Sequence, residues 1–208
     1  MKKKIIFIFL LIGAIGVFLS FHASLSAEKY VRRIYQSLRE NDIKKAIVLL
    51  DKGADKYPRR LDIRFGKISL CQLNRDILCM RQGIKSVLEQ SARPGNVWLW
   101  KNDETVDVSF MLGSIQEYQK FFFDNEYDEA LSDTARLILE IYPDHYESLN
   151  VLGTLALINN DCDAAKKYLD KARKSAPTDS VIKKNYSRYL KQCSTDRIRL
   201  LRNSFIAF

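Results

Sequence analysis

Apolar side chains recur at intervals of three and four along most of this chain, the spacing of one face of an α-helix. The pattern is clearest over 146–179. Leu149, Leu152, Gly153 and Ala156 mark one face, and Ala165, Leu169 and Ala172 mark a second. Asn159, Asn160 and Asp161 break the two, Asp161 can cap the second helix, and Pro177 ends it. The small residues Gly153 and Ala165 let the two helices approach closely. Weaker patterns of the same kind run over 111–145, 27–60 and 61–92. The spacing predicts one more helix over 180–193, with Val181, Tyr186 and Leu190 facing inward. Between 93 and 110 the periodicity lapses after Pro94 and Gly95. Val97 and Leu99 there alternate with Trp98 and Trp100 as in an extended segment, and helical spacing resumes near Glu104.

Leu152–Gly153 in the first helix, Ala165 in the second and Pro177 at the end resemble the tetratricopeptide (TPR) repeat, whose period is 34 residues. Tyr127, Asp128, Glu129, Ala130 and Pro143 give a looser copy. Tyr30, Ala46, Leu50, Gly53 and Pro58 give another, and Met80 replaces the expected Ala in a third. The resemblance implies an all-α, TPR-like superhelical solenoid of antiparallel helix pairs with irregular repeats. The expected layout is two degenerate pairs over 28–92, the Trp-containing insert over 93–110, a degenerate repeat over 111–145, a clear one over 146–179, and a capping helix with a tail over 180–208.

Family ligands usually lie in a concave groove lined by the first helices. In this register the groove-facing positions are Leu112, Ile115, Gln119, Phe122 and Phe123, then Glu147, Asn150, Thr154, Leu157 and Ile158. The cluster of Lys, Arg and Asn with which some members clamp an acidic terminus is not expected here. Three consecutive aromatics, Phe121 to Phe123, must point around much of one helix, so one is exposed or covered by a neighbouring element. Trp98 and Trp100 either anchor a partner or cover the open end of the second pair. The same register sets Cys162 near Cys193, and Cys71 and Cys79 flank one turn-back; each pair could form a disulfide. The alternative is four small buried thiols.

Both chain ends change this picture. Lys2, Lys3 and Lys4 precede 17 uncharged residues (5–21) and then the small residues of 23–27. That is the form of a secretory signal peptide over 1–27, with an uncleaved inner-membrane anchor as the alternative. Either places the body in the bacterial periplasm or cell envelope, where an even set of cysteines persists as disulfides. At the other end Ile198, Leu201, Phe205 and Phe208 recur at helical spacing among Arg197, Arg199 and Arg202, a basic amphipathic tail suited to an anionic membrane surface or to a partner. The net charge of +9 is therefore terminal: +3 over 1–27, zero over 28–179 and +6 over 180–208. A neutral body with an extracytoplasmic address argues against nucleic acid.

No catalytic constellation is expected. The chain has neither a phosphate loop, a nucleophile elbow nor a metalloprotease motif, and only two histidines, His22 and His145. His145 is expected on an exposed loop. The acidic run 124–129 lacks the Gly and the final carboxylate of a calcium loop. These features predict a non-catalytic protein-interaction scaffold with no cofactor and no metal, binding a protein or peptide. The alternative is a membrane-associated structural protein held by its first segment and its tail.

Overall fold

The computed structural model describes residues 27–101 and 104–205, with side chains through Cys193. Among them are nine helices: α1 (27–39), α2 (Ile43–Lys56), α3 (Leu61–Leu73), α4 (Ile77–Ser91), α5 (Val108–Asp124), α6 (Asp128–Ile141), α7 (Tyr146–Ile158), α8 (Cys162–Ser175) and α9 (Ser180–Phe205). Two short antiparallel strands, β1 (Trp98–Leu99) and β2 (Thr105–Val106), lie between α4 and α5. The chain divides into two compact units, one through Leu112 and one from Gly113. Apart from Ala27, the proposed leader lies outside the described residues, as do the side chains of Arg197, Arg199 and Arg202.

The chain reverses between paired helices four times through one turn. Asn41, Arg75, Glu126 and Asn160 have φ of 56°, 54°, 60° and 58°. At each, the next N–H donates to the carbonyl five residues back: Asp42 to Ser37 and Asp76 to Cys71 at 2.9 Å, Tyr127 to Phe122 and Asp161 to Ala156 at 2.8 Å. The left-handed residue's own N–H donates three back. Together these bonds make a Schellman cap, which satisfies carbonyls that a helix end leaves free. In three of the turns the next residue is Asp, whose carboxylate accepts the N–H of Lys45, Cys79 or Ala164 at 3.0 Å. Three residues thus separate the end of one helix from the start of the next. Asn41 to Arg75 and Glu126 to Asn160 are 34 positions each, whereas Arg75 to Glu126 is 51. The backbone therefore carries the repeat even where the side-chain pattern is degenerate, with about 17 residues inserted once.

Connections between successive pairs also recur. Tyr57, Tyr142 and Ala176 each precede a Pro, and their carbonyls accept the N–H of Arg60, His145 and Asp179. Proline suits the second position of such a turn because its fixed φ is already correct and it has no N–H to satisfy.

Within the second unit α7 packs on α8 through Gly153, where a Cβ would lie 2.6 Å from Leu169 Cγ. Ala156, Ala165, Leu169 and Cys193 form one buried cluster there, and Leu149, Ala172 and Ile182 form another. Cys162 and Cys193 are disulfide-bonded with Cα atoms 5.6 Å apart, tying the start of α8 to α9. Closing a loop of 31 residues removes about 4 kcal/mol of unfolded-state entropy. Of the positions expected inward, Tyr186 packs against this cluster, whereas Val181 and Leu190 are exposed; among the described side chains of α9 the buried ones are Ile182, Asn185 and Cys193.

The first unit has its own core of Ile34, Ala46, Leu50, Ile63 and Leu70. Cys71 and Cys79 are disulfide-bonded across the turn between α3 and α4. The insert is a hairpin where helix was expected from Glu104. The β-branched Thr105 and Val106 pair with Leu99 and Trp98, and Asp107 caps α5 through the N–H of Phe110 at 2.8 Å. Leu99 N–H donates to Arg59 O at 2.8 Å, joining the hairpin to the start of α3. At that junction Arg60 is 3% exposed and bidentate to Asp62 at 2.9 and 2.8 Å, with Glu28 3.5 Å away.

Gly153→Ala is expected to destabilise the protein by about 1–3 kcal/mol in chemical denaturation, since the methyl group meets Leu169. Gly113→Ala, with nothing within 4 Å of the new carbon, should be neutral or stabilising by up to about 1 kcal/mol.

Candidate functional site

The site that the fold offers lies in the second unit, on the faces of α5, α7 and α9. These three helices each begin a repeat, so residues in equivalent register come forward together. They enclose a cleft of about 490 Å³ whose floor includes the buried Leu131, Leu155 and Ile182. Phe123 and Val181, each about half exposed, and Val151 complete its apolar lining.

The polar groups of the cleft fall into two classes. Some are committed to partners within the protein. Asn185 Nδ2 donates to Asn150 Oδ1 at 3.0 Å and to Thr154 Oγ1 at 3.2 Å, and Thr154 Oγ1 donates to Asn150 O at 2.8 Å. Asp179 accepts the N–H of Ile182 at 2.9 Å and so caps α9. The Tyr146 phenol is pushed up to about 12, first by its hydrogen bond to Glu147 and then by burial, while Glu147 Oε2 is buried with no hydrogen-bond partner among the described residues.

Gln119 belongs to the other class. It is 3% exposed, and neither its Nε2 nor its Oε1 has a hydrogen-bond partner among the described residues. Lys120 and Arg188 line the same cleft and make no ion pair among the described residues. They stand 34 positions before and after Thr154, at one level of the three helices. Neither cation is among the groove-facing positions expected from the register. Arg188 was missed because α9 reads as a terminal cap, and a cap's inner face is not expected to line a site.

His145 is not on an exposed loop but is the N-cap of α7, with its side chain 11% exposed. Nδ1 accepts the N–H of Ser148 at 3.3 Å and lies 2.9 Å from Ser148 Oγ, while Nε2 faces Glu147 Oε2 at 3.2 Å. The order Ser–His–Glu has the connectivity of a hydrolase triad. Ser148 is 0% exposed, however, so its hydroxyl has no approach for a substrate carbonyl. The imidazole works as a cap: burial holds its pKa below the usual value, opposed by Glu147. Among the described residues no cluster of His, Cys, Asp and Glu could hold a metal ion.

Other expected groove residues go elsewhere. Gln119, Phe123, Asn150 and Thr154 line the cleft, joined by Glu147, whereas Leu112, Ile115 and Phe122 are buried in the helix packing. Of the three consecutive aromatics, Phe122 is fully buried, Phe121 contacts Phe122 and Tyr127, and Phe123 is the exposed one. Trp98 is 2% exposed under the Arg64 guanidinium, and Trp100 packs between Phe65 and Phe110. A second cleft, about 420 Å³, lies in the first unit against Ile34, Leu50 and Ile63. Its carboxylates, Glu28 and Asp62, are taken by Arg60.

The repeated turns, the 34-residue spacing and the close Gly153 contact establish the architecture. The fold is TPR-like. No family model matches the chain, and no curated protein matches it. Among solved structures it is similar to a tetratricopeptide repeat protein from Parabacteroides merdae, with 13% identity and a TM-score of 0.49 over 82% of this chain and 61% of that one. It is also similar to pilF of Pseudomonas aeruginosa, with 14% identity and a TM-score of 0.46 over 83% of this chain and 71% of that one. The chain thus spans less than two thirds of the Parabacteroides protein.

Two outcomes follow for this site. His145 binds a proton less readily folded than unfolded, so its contribution is complete above about pH 6.5 and declines as pH falls below that value. His145→Ala should cost about 1 kcal/mol at pH 7.5. His145→Asn should keep the cap and flatten the stability change between pH 7.5 and 5.5. Gln119→Leu should raise unfolding stability by about 1 kcal/mol, because it removes a buried amide that has lost water without gaining a partner.

Proposed function

We propose that the protein is a non-catalytic interaction scaffold of the bacterial cell envelope, and that it holds an extended segment of a partner protein in the cleft of its second unit. The observation that carries this reading is the Gln119 amide, withdrawn from water beside an apolar floor and without a hydrogen-bond partner among the described residues. A side chain whose only purpose was packing would be apolar there, as the neighbouring Ile115 and Phe122 are. Apolar walls supply area, and a few placed polar groups supply orientation, the usual division of labour in a recognition groove.

Two disulfides support the envelope location, since such bonds persist in oxidising compartments. The basic, then uncharged run over 1–21 supports it too. The basic tail adds attraction to an acidic surface on the partner or on the membrane.

A photo-crosslinking side chain at position 123, compared with one at the exposed Val48 of the first unit, tests the cleft in cells. Position 123 should give protein adducts that map to one short contiguous segment, and position 48 should not. Phe123→Asp should weaken capture at a cleft position such as 154 by at least about tenfold, the effect of losing one central anchor. Equal adducts from both positions, or lipid adducts alone, would exclude the cleft.

A further inference from the structure

We infer that the second unit carries a seat for one more helix, supplied by another protein. The outer face of α8 and α9 takes an amphipathic helix that is apolar on one side and acidic towards its C-terminal end. This surface shares no residue with the cleft described above, so the inference goes beyond the peptide reading and does not depend on it.

The repeat itself defines the seat. In α7, Leu149, Leu152, Gly153 and Ala156 form one buried face. Leu149 clusters with Ala172 of α8, Gly153 meets Leu169, and Ala156 clusters with Ala165 and Leu169. Ile115 and Phe122, the counterparts of Leu149 and Ala156 in α5, are fully buried too. Thirty-four positions further on, the same register in α9 reads Lys183, Tyr186, Ser187 and Leu190. These four line an open groove of about 600 Å³ together with Arg173 and Lys174 of α8. Leu190 is 47% exposed, whereas Ala156 at the same position of α7 is 8% exposed. Ser187 stands where α7 has Gly153, and a small residue there leaves room for a helix backbone to come close.

The described residues do not fill this groove. Each earlier first helix ends at a left-handed residue, and 34 positions after Asn160 stands Ser194. There α9 continues to Phe205 instead of reversing. The face that a second helix covers in the preceding repeat is therefore open.

Charge decides which kind of helix fits. Residues 162–193 hold nine Lys and Arg against three Asp. Asp179 caps α9, Asp163 is in the first turn of α8 at its far end, and Asp170 is shared by Arg173 at 3.8 Å and the Tyr186 hydroxyl. No carboxylate lines the groove, and its Lys174 and Lys183 make no ion pair among the described residues. A helix placed on α9 as α8 is placed on α7 runs antiparallel to α9. Its C-terminal end then reaches Arg173, Lys174 and Lys183, where the negative pole of the helix and the carboxylates of its last turns meet positive charge. The ends of this chain are the wrong occupants, since 1–27 carries +3 and 194–208 carries +2. A second copy would oppose its own basic face to this one.

The test uses the full chain and fluorescent peptides of 14 residues, the length of α8, held helical by a hydrocarbon staple. Each carries Ala, Leu and Ala at the spacing of Ala165, Leu169 and Ala172. The polar positions of the last two turns are Glu in one peptide, Gln in a second and Lys in a third. At low salt the Glu peptide should bind saturably and at least about tenfold more tightly than the Gln peptide, with the Lys peptide weakest. Lys174→Glu with Lys183→Glu should reverse that order. Ser187→Trp, at an exposed position, should abolish binding without lowering the melting temperature, because the indole blocks the close approach. Phe123→Asp should change none of this.

Loss of binding with Phe123→Asp but not with Ser187→Trp would move the site to the cleft and overturn the seat. Equal binding of the three peptides would overturn the acidic assignment. If no peptide binds saturably, or if only vesicles containing phosphatidylglycerol bind in a way that needs Lys174 and Lys183, the face is not a helix seat.

Discussion

The reversal between paired helices is the constraint on which the rest of this structure depends. One residue in the left-handed region, followed in three of the four turns by an Asp side-chain cap, turns the chain within three residues and satisfies backbone groups at the helix ends. Two of the four positions are Asn, which tolerates that region; Arg75 and Glu126 occupy it at a cost of about 1–2 kcal/mol each. That cost is borne because the double hydrogen bond and the packing behind it outweigh it. A turn this short forces antiparallel neighbours, and neighbours this close demand Gly153 against Leu169.

From that constraint the cleft follows. Repeating the turn at a fixed interval keeps α7 and α9 in one register, with α5 one repeat earlier. Side chains 34 positions apart then share a level on one face, which is how Lys120, Thr154 and Arg188 meet around a single space. The disulfide between Cys162 and Cys193 extends this effect, because it ties α9 to the start of α8. Asp179, Asn185 and Arg188 of the cleft lie on or at the start of α9.

The helix pairs were legible in the sequence wherever small and large apolar residues alternate at the right spacing, and the cysteine pairing followed from the same register. The line of α9 was not. Tyr186 does pack against the buried cluster, but Val181 and Leu190 recur with it at helical spacing while exposed, and the polar Asn185 at the centre of the true inner face hid the line of Ile182 and Cys193. The hairpin was missed in part because strands of two residues have too short an alternation to read. His145 was misplaced because a histidine cap has no pattern distinct from a histidine on a loop. Within the groove, helix register alone could not separate Leu112, Ile115 and Phe122 from Gln119 and Phe123, since successive residues on a helix face differ in depth by the packing of the next helix. Glu147, Asn150 and Thr154 were legible because they stand on the best-formed repeat.

The central claim is that the cleft of the second unit holds a segment of a partner protein beside the Gln119 amide, which has no hydrogen-bond partner among the described residues. Selective ¹⁵N labelling of glutamine side chains in the full protein, followed by titration with the segment mapped by crosslinking from position 123, tests it most directly. The account predicts that the Gln119 amide protons shift and become protected from exchange as the segment binds. A saturated complex in which the Gln119 resonances neither move nor gain protection would contradict it.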